Sequence, residues 1–228
     1  MLLARNVPTV EETVSFEGIT RIEFDLHNAP VTITGSTDVE EVTVHYQTTT
    51  GLLGGSTRLD PSGWTLRIAH RCPFLLGFAC SARYELVVPE GTTIDGGTSN
   101  GAIRATNLAG DFSGRTSNGA ISLEGMTGQV NARTSNGAIQ GEDMRSSNVT
   151  LQTSNGRIVI SFTGIPQAVD LRTSNGAIDV QLPGDAPAFA LSTTTSNGRV
   201  DTGIRTDPAA SQRIDARTSN GNITIRYR

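Results

Sequence analysis

Asp179 and Asp201 each stand four residues after an Asn, in the closely matched stretches Asn175–Asp179 and Asn197–Asp201. Two carboxylates held at one offset of a repeat can become neighbours on an outward face. A pair of that kind shares a proton, raising one pKa, as a carbohydrate-active enzyme needs for acid catalysis. Arg157 and Arg199, each two residues after their own Asn, fall on the same face. Basic neighbours relieve the repulsion, so the plainer reading is a solvated surface. Cys72 and Cys80 form a second reactive pair, separated by the apolar run Pro73–Ala79. With strands on both sides, the two thiols could face each other across a hairpin and form a disulfide; in a reducing compartment they stay free. The run between them either plugs an end of the fold or projects Phe74–Phe78 toward a membrane or partner. His27, His45 and His70 show neither ligand spacing nor a carboxylate pattern, which points to structural or exposed roles. The motifs of calcium β-rolls, phosphate loops, nucleophile elbows and zinc helices are missing, so no catalytic, cofactor-binding or metal residue is assigned and no cofactor is expected.

Whatever positions these side chains is a repeat. Thr-Ser-Asn-Gly occurs seven times, with its Asn at 100, 118, 136, 155, 175, 197 and 220, spaced by 18, 18, 19, 20, 22 and 23 residues. Helical repeats need roughly 33 to 47 residues and propeller blades roughly 40 to 50, so this period leaves room only for a coil of short strands. Six residues before each Asn stand Ile94, Phe112, Val130, Val149, Val169, Leu191 and Ile214; three after it stand Ile103, Ile121, Ile139, Ile158, Ile178, Val200 and Ile223. Polar residues occupy the intervening columns, including Arg115, Arg133, Gln152, Arg172 and Arg217 three before the Asn. Alternation with period two on both sides marks strands with one buried face. Asn-Gly takes positive φ readily and is therefore expected as the corner between them. The fold class is an all-β, parallel β-solenoid. Because Asn100, Asn118, Asn136, Asn155, Asn175, Asn197 and Asn220 share parity with the inward columns, an internal amide ladder is expected, each side chain donating to one neighbour and accepting from the next.

Residues 91–228 hold the seven repeats, residues 12–90 a degenerate first coil around Asn28 with a hairpin-rich β cap, and residues 1–11 a tail. Strands are expected at Glu40–Gln47, Ser56–Asp60, Trp64–Arg71 and Ala82–Val88, with a turn at Asp60–Gly63. The last coil runs into Ile223–Arg228, whose edge is either blunted by Arg226 and Arg228 or pairs with another copy in a homo-oligomer. The formal charge of -4 gives no electrostatic case for nucleic acid or anionic lipid. No apolar run approaches the roughly 18 residues of a membrane span, and Met1–Val10 carries no signal-peptide core.

The Thr-Ser-Asn-Gly-Ala-Ile coils, with the opening Phe-x-Gly-Ile-x-x-Ile-x-Phe-x-Leu-x-Asn at Phe16–Asn28, resemble the bacterial putative-adhesin or toast-rack domains of unknown function. The resemblance runs from about residue 12 to 228. It implies a β-helical, non-enzymatic module of the cell envelope or surface, and supplies no functional residues to carry over. The missing signal peptide would place the chain in the cytoplasm, the resemblance at the envelope. The expected function is a non-catalytic binding or scaffold module for a protein or glycan. The alternatives are a carbohydrate-active enzyme using Asp179 and Asp201, and self-association through the open C-terminal edge.

Overall fold

The computed structural model describes residues 9–49, 56–72 and 80–228. The chain opens with β1 (Thr9–Phe16), β2 (Arg21–Leu26), β3 (Val31–Ser36), β4 (Val42–Thr49), β5 (Ser56–Ser62), β6 (Thr65–Arg71) and β7 (Ser81–Pro89). Each repeat then contributes one strand on either side of its Asn-Gly. These are β8 (Thr93–Thr98) and β9 (Ile103–Thr106), β10 (Phe112–Thr116) and β11 (Ile121–Glu124), β12 (Val130–Thr134) and β13 (Ile139–Met144), β14 (Asn148–Thr153) and β15 (Ile158–Phe162), β16 (Ala168–Arg172) and β17 (Ile178–Leu182), β18 (Ala190–Asn197) and β19 (Val200–Gly203), β20 (Arg213–Asn220) and β21 (Ile223–Tyr227). The strand before the corner joins a ten-stranded sheet and the strand after it an eleven-stranded sheet. Two facing sheets enclose the core.

Identical words one coil apart do come into lateral registry. Ile94 lies beside Phe112, Phe112 beside Val130, Val130 beside Val149 and Val149 beside Val169, all in parallel pairing. Across the corner Ile103, Ile121, Ile139, Ile158 and Ile178 form the matching row. Both rows are buried throughout. Parallel neighbours stand about 4.8 Å apart, so each aliphatic side chain packs on the one before and the one after it.

The spatial order departs from the chain order at both ends. β20 lies between β16 and β18, and β21 between β17 and β19, so the last coil in sequence is inserted beneath the one that precedes it. The open end is therefore β18–β19; the expectation of an exposed C-terminal strand is wrong. Side-chain character explains the exchange. The coil of β20 and β21 turns Ile214, Ala216, Ile223 and Ile225 inward, all at most 1% exposed. The coil of β18 and β19 has Thr193 and Thr202 where those have Ala216 and Ile225, and its Val200 is 43% exposed. The more apolar coil takes the place covered on both sides, because hydrophobic burial scales with the area removed from water.

At the other end, β2 and β3 form a coil that pairs in parallel with β8 and β9 on one side and with β6 and β7 on the other. β5 then runs antiparallel to β6, β4 to β7 and β1 to β4. Antiparallel strands thus cover this end of the stack. The hairpin between β5 and β6 turns at Ser62–Thr65, with Gly63 at φ 57°, two residues later than the sequence indicates.

Candidate functional site

The repeated corner is the first element to weigh. Asn28, Asn100, Asn118, Asn136, Asn155, Asn175, Asn220 and Asn197 are linked in that order by side-chain amide hydrogen bonds, those from Asn136 onward at 2.8–2.9 Å. The ladder is not internal, however: these Asn residues are exposed along the outer rim of the corner. The inward residue is the Thr two places earlier. Thr116, Thr134, Thr153, Thr173 and Thr218 are buried, and each hydroxyl donates to the corner Gly carbonyl of the coil below it at 2.9–3.0 Å. Nor does positive φ explain the Gly. Of the corner Asn residues only Asn28 is left-handed, at φ 56°, and Gly101, Gly119, Gly137, Gly156, Gly176 and Gly198 are not. Stacking requires Gly there: a Cβ on Gly137 would lie 1.9 Å from the Gly119 carbonyl oxygen.

Asp179 and Asp201 are not neighbours. Inserting β21 places Thr224 between them, with Asp179 and Asp201 on the rungs either side. Two rungs separate the backbones by about 9.6 Å, and the shared-proton pair that adjacent rungs would make does not form. Asp179 instead lies 3.9 Å from Arg157. Glu124 and Glu142 are carboxylates that do occupy adjacent rungs of this face. Both stand six residues after their Asn, so the arithmetic of the repeat could have found them.

The outer face of the ten-stranded sheet carries the densest polar array. Toward its capped end, Glu23 accepts from Arg21 and Arg67 at 3.0 Å each, and Asp95 lies between Arg21 and Arg115 at 3.5 and 3.3 Å. Hydrogen bonds from Arg21 and then Arg67 hold the Glu23 carboxyl below its ordinary range. Toward the open end, Asp170 pairs with Arg172 at 2.8 Å and Asp215 with Arg217 at 2.6 Å. Between the two groups run shallow grooves that meet at Gln129, Asn148 and Thr150. In them Asn131 Oδ1 and Asp170 Oδ1 are shielded and make no hydrogen bond with the described residues.

The coil of β6 and β7 departs most from the pattern. These strands belong to opposite sheets, so Cys72 and Cys80 flank a corner and not a hairpin. They are disulfide-bonded, with Cα atoms 5.8 Å apart, where other coils have Asn-Gly. Phe74–Phe78, considered above for plugging or membrane contact, lies outside the described residues. His70 takes the place of the inward Thr, since both it and Thr98 pair with Leu26. It is fully buried, with Nδ1 3.2 Å from Thr57 Oγ1, and Nε2 3.4 Å from Cys72 Sγ and 3.7 Å from Cys80 Sγ. Thr57 Oγ1 also lies 2.9 Å from Tyr84 Oη. Burial, with His27 nearby, pushes the His70 imidazole below its usual pKa, and burial raises the Tyr84 phenol. His70 lacks the usual ligand spacing in sequence, and the signal of this cluster is the pattern His70-x-Cys72 with Cys80 beyond the loop. His45 also has a carboxylate beside it, Glu11 at 3.3 Å.

Among the described residues no helix is long and apolar enough to cross a membrane. No curated protein matches the chain. Three solved structures follow a similar course. One is a putative cell adhesion protein from Clostridium sporogenes, with 12% identity, 97% of this chain and 100% of that chain covered, and a TM-score of 0.46. A putative adhesin from Bacteroides fragilis has 13% identity, 97% of each chain covered and a TM-score of 0.48. A putative lipid binding protein from Parabacteroides distasonis has 12% identity, 98% of each chain covered and a TM-score of 0.48. Likenesses at this level carry no functional argument. The Toastrack DUF4097 family model, in contrast, matches residues 83–226, which span the corner ladder from Asn100 onward, the stacked aliphatic rows and the inserted last coil. The chain belongs to the Toastrack DUF4097 family.

Proposed function

We propose that this protein is a non-catalytic binding or scaffold module, and that the outer face of its ten-stranded sheet is the recognition surface. The observation that carries this reading is the pair of shielded, unpartnered acceptors, Asn131 Oδ1 and Asp170 Oδ1, in grooves between two sets of ion pairs. Shielded oxygens without a partner are costly, and a ligand that draws these two side chains outward and donates hydroxyl or amide hydrogens to them recovers the loss. Asn131 and Asp170 lie in one column two rungs apart, about 9.6 Å, with Thr150 between them, a spacing that suits a polyhydroxylated chain such as a glycan. The test is a glycan array with the purified protein, repeated with Asn131→Ala/Asp170→Ala. Glycans bound by the wild type and lost by the variant support the reading; binding that the variant retains, or no binding at all, removes it.

A second reading, self-association, moves to the β18–β19 end, where Val200 is 43% exposed and the two sheets have open edges. Light scattering should then show an oligomer that Val200→Asp dissociates; a wild type that is monomeric at high concentration excludes it.

A further inference from the structure

We propose that reduction of the Cys72–Cys80 bridge creates a binding site for one soft, thiolate-seeking d10 cation, Zn2+ or Cu+, with His70 Nε2 as the third ligand. The geometry is largely in place in the bridged form. Nε2 lies 3.4 and 3.7 Å from the two sulfurs. A tetrahedral ion with metal–nitrogen bonds of about 2.0 Å and metal–sulfur bonds of about 2.3 Å sets its nitrogen–sulfur edges at about 3.5 Å. On these distances the ring nitrogen can keep its place, and the sulfurs have to part, to about 3.8 Å for the same bond lengths. The Cα separation of 5.8 Å allows this by side-chain rotation.

The imidazole is also oriented for the task. Thr57 Oγ1, itself in contact with Tyr84 Oη, engages Nδ1, and so directs Nε2 at the sulfurs. Buried metal-binding histidines are held in this way through their second nitrogen. Among the described residues, Nε2 has only sulfur within hydrogen-bonding distance. That is a weak partner for a fully buried ring nitrogen, and a cation would be a strong one. His70, Cys72 and Cys80 bring their ligand atoms within 4.8 Å of one another. Among the described residues three donors are offered, which leaves a further position of a tetrahedral ion for water or a small ligand.

The chemistry balances with a small dithiol as reductant. Its thiolate attacks one bridge sulfur, and its second thiol displaces that sulfur from the mixed disulfide. Two electrons pass to the protein, leaving two cysteine thiols and an oxidised, cyclised dithiol. The cation then replaces the two thiol protons, which are released to solvent. Cys72 and Cys80 are partly exposed, so the reductant can reach them.

The experiment uses the full chain, reduced with dithiothreitol and desalted without oxygen. Zn2+ and Cu+ are titrated in separate arms against chromophoric chelators. One equivalent per chain should bind at submicromolar affinity in at least one arm, and the arms decide which cation is preferred. The unreduced chain and Cys72→Ser/Cys80→Ser should bind at least 100-fold more weakly. In the reduced wild type, the His70 Nε2 resonance should shift on adding the preferred cation, a readout that depends on no variant folding. The proposal is overturned if reduced wild type binds neither cation better than the double variant, or if that resonance does not move. Glycan binding uses other residues, so failure here leaves the recognition surface standing.

Discussion

Gly137→Ala tests the stacked corner most directly. Real Cβ contacts stay beyond 3.0 Å, whereas this one would be made at 1.9 Å, so the corners of two adjacent coils must separate by at least 1.1 Å. That separation takes the Thr134 hydroxyl, now 2.9 Å from the Gly119 carbonyl, out of bonding range, and stretches the 2.8 Å amide bond from Asn136 to Asn118. Overpacking of this kind costs about 1–3 kcal/mol. Two lost hydrogen bonds add about 1 kcal/mol each. The sum, about 3–5 kcal/mol, corresponds to a fall in Tm on the order of 10 °C for a chain of this size. Calorimetry should compare it with Gly203→Ala, where a Cβ meets nothing within 4 Å. Gly203→Ala is expected to be neutral or slightly stabilising, because it restricts the unfolded chain. If the two variants melt within about 2 °C of each other, the close-approach account of the corner is wrong.

Ile223→Ala should cost about 2–5 kcal/mol in chemical denaturation, since Ile223 is fully buried between two coils, and Val200→Ala far less. Equal costs would refute the inserted position of the last coil. Asp179→Asn/Asp201→Asn should leave any glycan binding and the melting curve unchanged, and a marked loss of binding would revive the carboxylate column. Cys72→Ser/Cys80→Ser should lower stability by about 2.5 kcal/mol, the value for closing so short a loop; denaturation with and without reductant checks it, because reductant should destabilise only the wild type. His70 predicts an acid-side effect. Its folded pKa lies below the ordinary 6.5, so below that pH the unfolded chain binds a proton that the folded chain resists. Stability should therefore fall as pH drops below about 6.5 and level off beneath the folded pKa. His70→Gln should remove that part of the slope, and a pH profile unaltered by it would contradict the shift.

Of the site residues, the repeated columns and the Cys72–Cys80 pair were legible, whereas the direction of the corner Asn side chains and the partners of His70 were not. The outward polar columns could be counted from each Asn, as could the rungs that make Glu124 and Glu142 adjacent. The direction of the Asn side chains could not, because a corner breaks the alternation that gives strands their parity. The cluster of His70, Cys72, Cys80, Thr57 and Tyr84 unites β5, β6 and β7, which share no repeated word.

By itself the sequence determined the stacking, the two-strand coil and its buried face. Period and alternation are local properties, and any chain satisfying them buries the same columns. Only the tertiary structure decided which coil stands next to which. Thr224 separates Asp179 from Asp201 because an apolar coil gains more from two covered faces than the threonine-bearing coil before it. That comparison is made between whole coils, and no spacing along the chain expresses it.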